Sequence, residues 1–151
     1  MADTTRLAGE THVGFETLLK SFGPLSLPGF SGNTIVTPAA CQTGPYTAQA
    51  GDVAILSTSG TGSPTASVND VMYINAMQKI GSGNWLSVNA ANTDAAESLQ
   101  DGTAYAAAQA VSTLQAGAVY RWGVGVASNN AVTLSPGYCR GTVMIVREAA
   151  D

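Results

Sequence analysis

The clearest pattern along this chain is an alternation. Over Ala118–Ala127 the residues Tyr120, Trp122, Val124 and Val126 are large and apolar, while Arg121, Gly123, Gly125 and Ala127 between them are polar or small. A two-residue period belongs to a strand with one face on a core. Further on, Thr142-Val-Met-Ile-Val146 is an apolar run, β-branched at most positions, which predicts a strand covered on both faces by a sandwich or by a partner. Tyr138–Arg147 closes the domain as the strand that carries this run.

Shorter pieces of the same kind lie upstream. Asn33–Thr37, Tyr46–Gln49, Val53–Thr58, Val68–Ala76 and Trp85–Val88 read as strands, punctuated by Pro38, Gly44-Pro45, Ala50-Gly-Asp52 and Gly81-Ser-Gly-Asn84. In Val68–Ala76, Val71 and Tyr73 share one face and Met72, Ile74 and Ala76 the other. The stretch Ser57–Pro64 is rich in Ser, Thr and Gly and reads as a flexible loop, as does Asn92–Gly102. Thr103–Thr113 is ambiguous: its alanines favour helix, Tyr105 and Val111 favour strand, and strand is the expectation. Ala131–Leu134 is one more short strand.

The N-terminal third follows another rule. Phe15, Leu18, Leu19 and Phe22 fall at spacings of three, one and three, which predicts a short helix over 14–22, ended by Gly23-Pro24. A helix that short needs something to lie on. It either caps its own domain or, with Val13 and the polar residues before it, forms an adhesive arm that docks on a neighbour. The expected organisation is therefore an arm with helix and Pro/Gly connector over 1–33, followed by a β domain over 34–151. The fold class is all-β, a Greek-key or jelly-roll β-sandwich behind one helix and an extended arm.

Composition narrows the function more than it names it. A chain of 151 residues suits one domain with a core of its own. Only 11% of it is charged, against a usual quarter, so much of the surface is neutral and hydroxyl-rich or is covered by other subunits, as in shells and fibres. The six basic residues are scattered in a chain of net charge −4, which leaves no footprint for nucleic acid. No apolar run approaches the roughly 18 residues of a membrane helix, and the N-terminus lacks a basic region followed by an apolar one, so neither membrane insertion nor secretion by such a signal is expected. Cys41 and Cys139 are 98 positions apart. Without a secretion signal they are expected as two separate buried thiols; paired, they would stabilise by about 4–5 kcal/mol in the chain-entropy model.

Leu114-Gln-Ala-Gly-Ala-Val-Tyr120, with its continuation Arg121-Trp-Gly123 and the closing Gly141–Arg147, resembles the C-terminal half of jelly-roll modules of the C1q/tumour-necrosis-factor type. In that family a turn of form Leu-x-Ala-Gly-x-x-Tyr leads into an aromatic strand, and the last strand lies near a threefold axis. Bacteriophage head-decoration (cement) proteins and fibre tips use the same architecture. The resemblance covers about the last quarter of the chain. It implies a homotrimer with Val143, Met144, Ile145 and Val146 at the subunit interface. The N-terminal segment is not part of the usual eukaryotic module and is closer to a decoration protein. On that reading Val13, Phe15, Leu18, Leu19 and Phe22 bind the lattice of the major capsid protein, and the protein resides on the virion surface after synthesis in the host cytoplasm.

Candidate chemistry is thin. The single histidine, His12, sits beside the polar N-terminus, far in sequence from any nucleophile, and no nucleophile-elbow, zinc-protease or dinucleotide motif occurs. Asp70, Asp94, Glu97 and Asp101 have no diagnostic spacing for sugar hydrolysis, and the last three lack the loop pattern of a calcium-binding hand. Neither enzyme activity nor a cofactor or resident metal is expected. The better candidates for contact with a partner or a glycan are Tyr46, Trp85 and Tyr138, aromatics beside turns. The alternative function is accordingly a receptor- or glycan-binding head using the loops 58–67, 81–84 and 128–137.

Overall fold

The computed structural model of the chain describes residues 10–29, 34–65, 69–89, 95–99 and 103–148. Among them run eleven strands: β1 (Glu10–Phe22), β2 (Leu25–Pro28), β3 (Tyr46–Thr47), β4 (Asp52–Gly62), β5 (Val71–Ile80), β6 (Trp85–Ser87), β7 (Ala95–Ser98), β8 (Ala104–Thr113), β9 (Val119–Ser128), β10 (Ala131–Leu134) and β11 (Gly137–Glu148). A single 3₁₀ turn spans Ala39–Cys41. All pairings are antiparallel. One sheet has the order β1-β11-β4-β8; the other runs β3-β9-β5-β6, with β7 also on β5; β2 and β10 form a separate ribbon.

The two larger sheets pack face to face. Register puts residues 104, 106, 108 and 110 of β8 opposite 62, 60, 58 and 56 of β4, so four alanines line the inner side of one edge. Ala54, Leu56, Val143 and Ile145 of the first sheet meet Ala76, Tyr120 and Trp122 of the second in one cluster, and a second cluster gathers Ile74, Val124, Val126, Leu134 and the two cysteines. The alternating strand foreseen at 118–127 is β9, and its apolar set faces this core. Thr103–Thr113 is a strand, as Tyr105 and Val111 suggested.

Three expectations are corrected. The segment 14–22 is not a helix: all of it lies in β1, paired with β11 from Glu10↔Glu148 to Phe22↔Gly137. Leu18 and Phe22 face inward and are buried, whereas Phe15 and Leu19 are 60% and 68% exposed. The helical spacing arose from combining the two faces of one strand. Gly23-Pro24 ends that strand instead. The flexible loop expected at 57–64 is mostly β4, which continues to Gly62 because Gly60 and Gly62 face the core where the side chains of Ile74 and Leu134 fill the space; a Cβ would come within 2.7 and 2.9 Å of them. Cys41 and Cys139 are not separate thiols but a buried disulfide, Cα–Cα 5.9 Å, tying the 3₁₀ turn to β11. Smaller differences follow the same lines. Asn33–Thr37 contributes an isolated bridge at Val36 to Val126, and β7 occupies part of the expected loop 92–102. Residues 1–9 of the expected arm, and Asn33 and Val68 of the expected strands, lie outside the described residues.

Candidate interaction surface

Which side chains share the outer face of the first sheet follows from the register. Four strands lie side by side, and residues opposite one another project to the same face. Phe15 pairs with Met144, Met144 with Ile55, and Ile55 with Val111, so one apolar row crosses the whole sheet. Val146 and Val53 sit opposite each other on the next row at one side. On the other side comes a polar row, Thr17, Thr142, Ser57 and Gln109, then Leu19, Arg140, Ser59 and Ala107, then Ser21, Tyr138, Thr61 and Tyr105. Tyr105, Val111 and Tyr138 are each about as exposed as Phe15. Arg140 is the one charged side chain in these rows.

The second sheet is treated differently by the chain. Its outer face is covered by residues 35–41 and by Trp85: a Cβ on Gly123 would meet Thr37, the Cys41 carbonyl and the Trp85 ring, and one on Gly125 would meet Met77 and Ile35 within about 2.6 Å. The segment itself runs beside β9, paired with it at Val36 and Gln42, and the small residues at these positions make room for the Ile35 and Thr37 side chains and the Cys41 carbonyl to reach over the sheet. Asn75, Met77 and Ala127 beneath it are buried. One sheet is thus roofed by the protein's own chain, and the other presents an apolar, nearly uncharged face.

The residues singled out from sequence distribute over both. Phe15, Leu19, Met144, Val146 and Tyr138 meet on the bare face. Leu18, Phe22, Val143 and Ile145 point into the core, and Val13 is half-buried at the register break of β1 between His12 and Gly14. Trp85 lies against Gly123 as part of the roof. Tyr46 stands in β3 against Trp122 and donates a 2.6 Å hydrogen bond from its hydroxyl to Asp52 Oδ2. Ile55, Tyr105 and Val111 were not foreseen as surface residues. The alternation Val53, Ile55 and Tyr105, Ala107, Gln109, Val111 held that information once β4 and β8 were both known to be strands.

Polar side chains inside the fold are committed to structure. Asp52 has no exposed surface; its carboxylate also accepts the Gln49 backbone N–H at 2.8 Å and Arg147 Nε at 2.7 Å. Burial alone would raise this carboxyl's pKa, but the hydrogen bonds from Arg147, Tyr46 and Gln49, with the Arg147 charge, hold it below the ordinary value. Tyr46 is pushed up by burial, then by its bond to Asp52 and the charge there. Asp70 accepts the backbone N–H groups of Val71, Asn129 and Asn130, holding the turn before β10. Asp94 and Asp101 lie outside the described residues. Among the described residues no group of three or more His, Cys, Asp or Glu side chains is placed to hold a metal ion.

No protein-family model matches the chain, and neither a curated protein nor a solved structure matches it significantly.

Proposed function

We propose that this protein is a structural assembly module that acts by binding, and that the bare face of the sheet β1-β11-β4-β8 is the surface it assembles through. The observation that carries the reading is the contrast between the two sheets: the chain roofs one and leaves on the other an apolar row from Phe15 to Val111. Four strands at about 4.8 Å and ten residues at about 3.3 Å outline a face of roughly 600 Å² before side-chain relief is counted. That is of the order of the 800 Å² or so that each partner gives to an ordinary stable interface.

The finer reading is a homotrimeric jelly roll on a virion surface, bound to a capsid lattice. It is supported by the Leu114–Tyr120 resemblance, by the low charge, and by the connectivity: first and last strands pair, and β3, β4, β5, β8, β9 and β11 alternate between the sheets. The face that would meet the other two copies then includes Met144 and Val146.

Light-scattering mass of the purified chain tests this. The expected mass is near three chains for the natural sequence. In dilute solution Phe15→Lys with Tyr138→Lys brings it to one chain without moving the denaturation midpoint, because both side chains are exposed in the single chain. A natural sequence that remains a single chain at high concentration, or a double variant that keeps the three-chain mass, contradicts the reading.

A further inference from the structure

The sheet with the bare face has two edges, and they are built unlike each other. β1 is guarded: its register breaks between His12 and Gly14, Glu16 and Lys20 put charge along it, and Gly23-Pro24 follows it. The other sheet ends in strands of two, three and four residues, β3, β6 and β7, too short to template another chain. β8 has none of these devices. It is ten residues long, contains no Gly or Pro, and lies in a stretch, residues 102–120, without a single charged residue.

Its backbone phase is fixed by a bond just beyond its end. Leu114 N–H donates to the Asp52 carbonyl at 2.9 Å, so the even-numbered residues of β8 turn their backbone groups toward β4. Tyr105, Ala107, Gln109, Val111 and Thr113 therefore point their N–H and C=O groups away from the sheet. Among the described residues, one of these groups has a partner, the Gln109 carbonyl, which accepts Asn89 Nδ2 at 2.9 Å.

We propose that β8 is a strand-pairing edge whose occupant is β8 of a second copy. An antiparallel strand is complementary to itself across a two-fold axis, since each outward donor meets an outward acceptor. The axis stands perpendicular to the sheet, so both outer faces stay on the same side and the two four-stranded sheets join into one. β1 cannot serve as the other half, being bulged and charged. In the register centred on Ala108, Tyr105 lies opposite Val111 of the second copy, and two exposed apolar side chains each gain a cross-strand partner. This contact uses the edge of the sheet and holds however many copies meet through its face.

The test uses the full chain carrying Phe15→Lys and Tyr138→Lys, which disables the face but leaves β8 untouched. Mass and amide hydrogen exchange are followed together as concentration rises. The mass is expected to double while the amides of Tyr105, Ala107 and Val111 slow. Adding Ala107→Pro removes an outward donor and no bond to β4. Counted twice by the two-fold, that loss raises the concentration for half-association about tenfold or more. The proposal is overturned by a mass that never rises, by doubling in which those three amides exchange as they do in dilute solution, or by unchanged association of the proline variant. If that variant does not fold, the exchange pattern of its parent decides. A natural chain that shows no face assembly, while this variant still pairs through β8, contradicts only the trimer reading.

Discussion

Asp52 opens β4 as what looks like an ordinary turn residue after Ala50-Gly51, yet it is the knot between β3, β4 and β11. Its partner Arg147 is 95 positions away, which is why neither its burial nor its role could be read from local sequence. Asp52→Ala leaves Tyr46, Gln49 N–H and Arg147 without their acceptor, and is expected to cost about 2–4 kcal/mol in chemical denaturation at neutral pH. The pH dependence follows from the direction of the shift. A carboxyl held below its ordinary 3.8 binds its proton more weakly when folded than when unfolded. Its stabilisation is therefore complete above the ordinary carboxylate range and is lost as pH falls through the depressed value. Asp52→Asn should remove that part of the acid limb; an acid profile identical to that of the natural sequence would show that other carboxyls govern it.

At the scale of elements, strands with one clean period were legible and strands with two were not. β9 announces itself because its inner residues are large and its outer ones small. β1 does not, because Phe15 and Leu19 outside are as apolar as Leu18 and Phe22 inside, and four apolar residues on two faces imitate one face of a helix. β4 hid its second half because the core there is filled from other strands by Ile74 and Leu134, where glycine fits without either side chain having to shift. The disulfide is not legible in the sequence for a related reason: pairing depends on the 3₁₀ turn lying against β11, a tertiary contact. That bond closes a loop of 98 residues between an otherwise irregular segment and the centre of a sheet. Replacing both cysteines with serine should lower the unfolding free energy by about 2–5 kcal/mol. A double variant as stable as the natural chain would mean that the roof over the second sheet holds without its staple.

The whole molecule is organised by the difference between its two outer faces. Ile35, Thr37 and Trp85 use the space left by Gly123 and Gly125 to cover one sheet along β9, and nothing described in the chain does the same for the other. Half of that second face was visible in the sequence, as Phe15, Leu19, Met144, Val146 and Tyr138, but as members of three separate features: an arm, a terminal strand and a turn aromatic. Only the register brings them onto one surface and adds Ile55, Val111 and Tyr105 to them. With few charges to keep it in water, such a face is expected to be covered in the working state. Hydroxyl-radical footprinting of the natural chain, read residue by residue, tests that claim most directly. Labelling of Phe15, Met144, Tyr138 and Tyr105 is expected to fall severalfold between dilute and concentrated protein, while Val119, exposed on β9 of the other sheet, is labelled equally in both. Equal labelling of all five under conditions where the chain has assembled would contradict it.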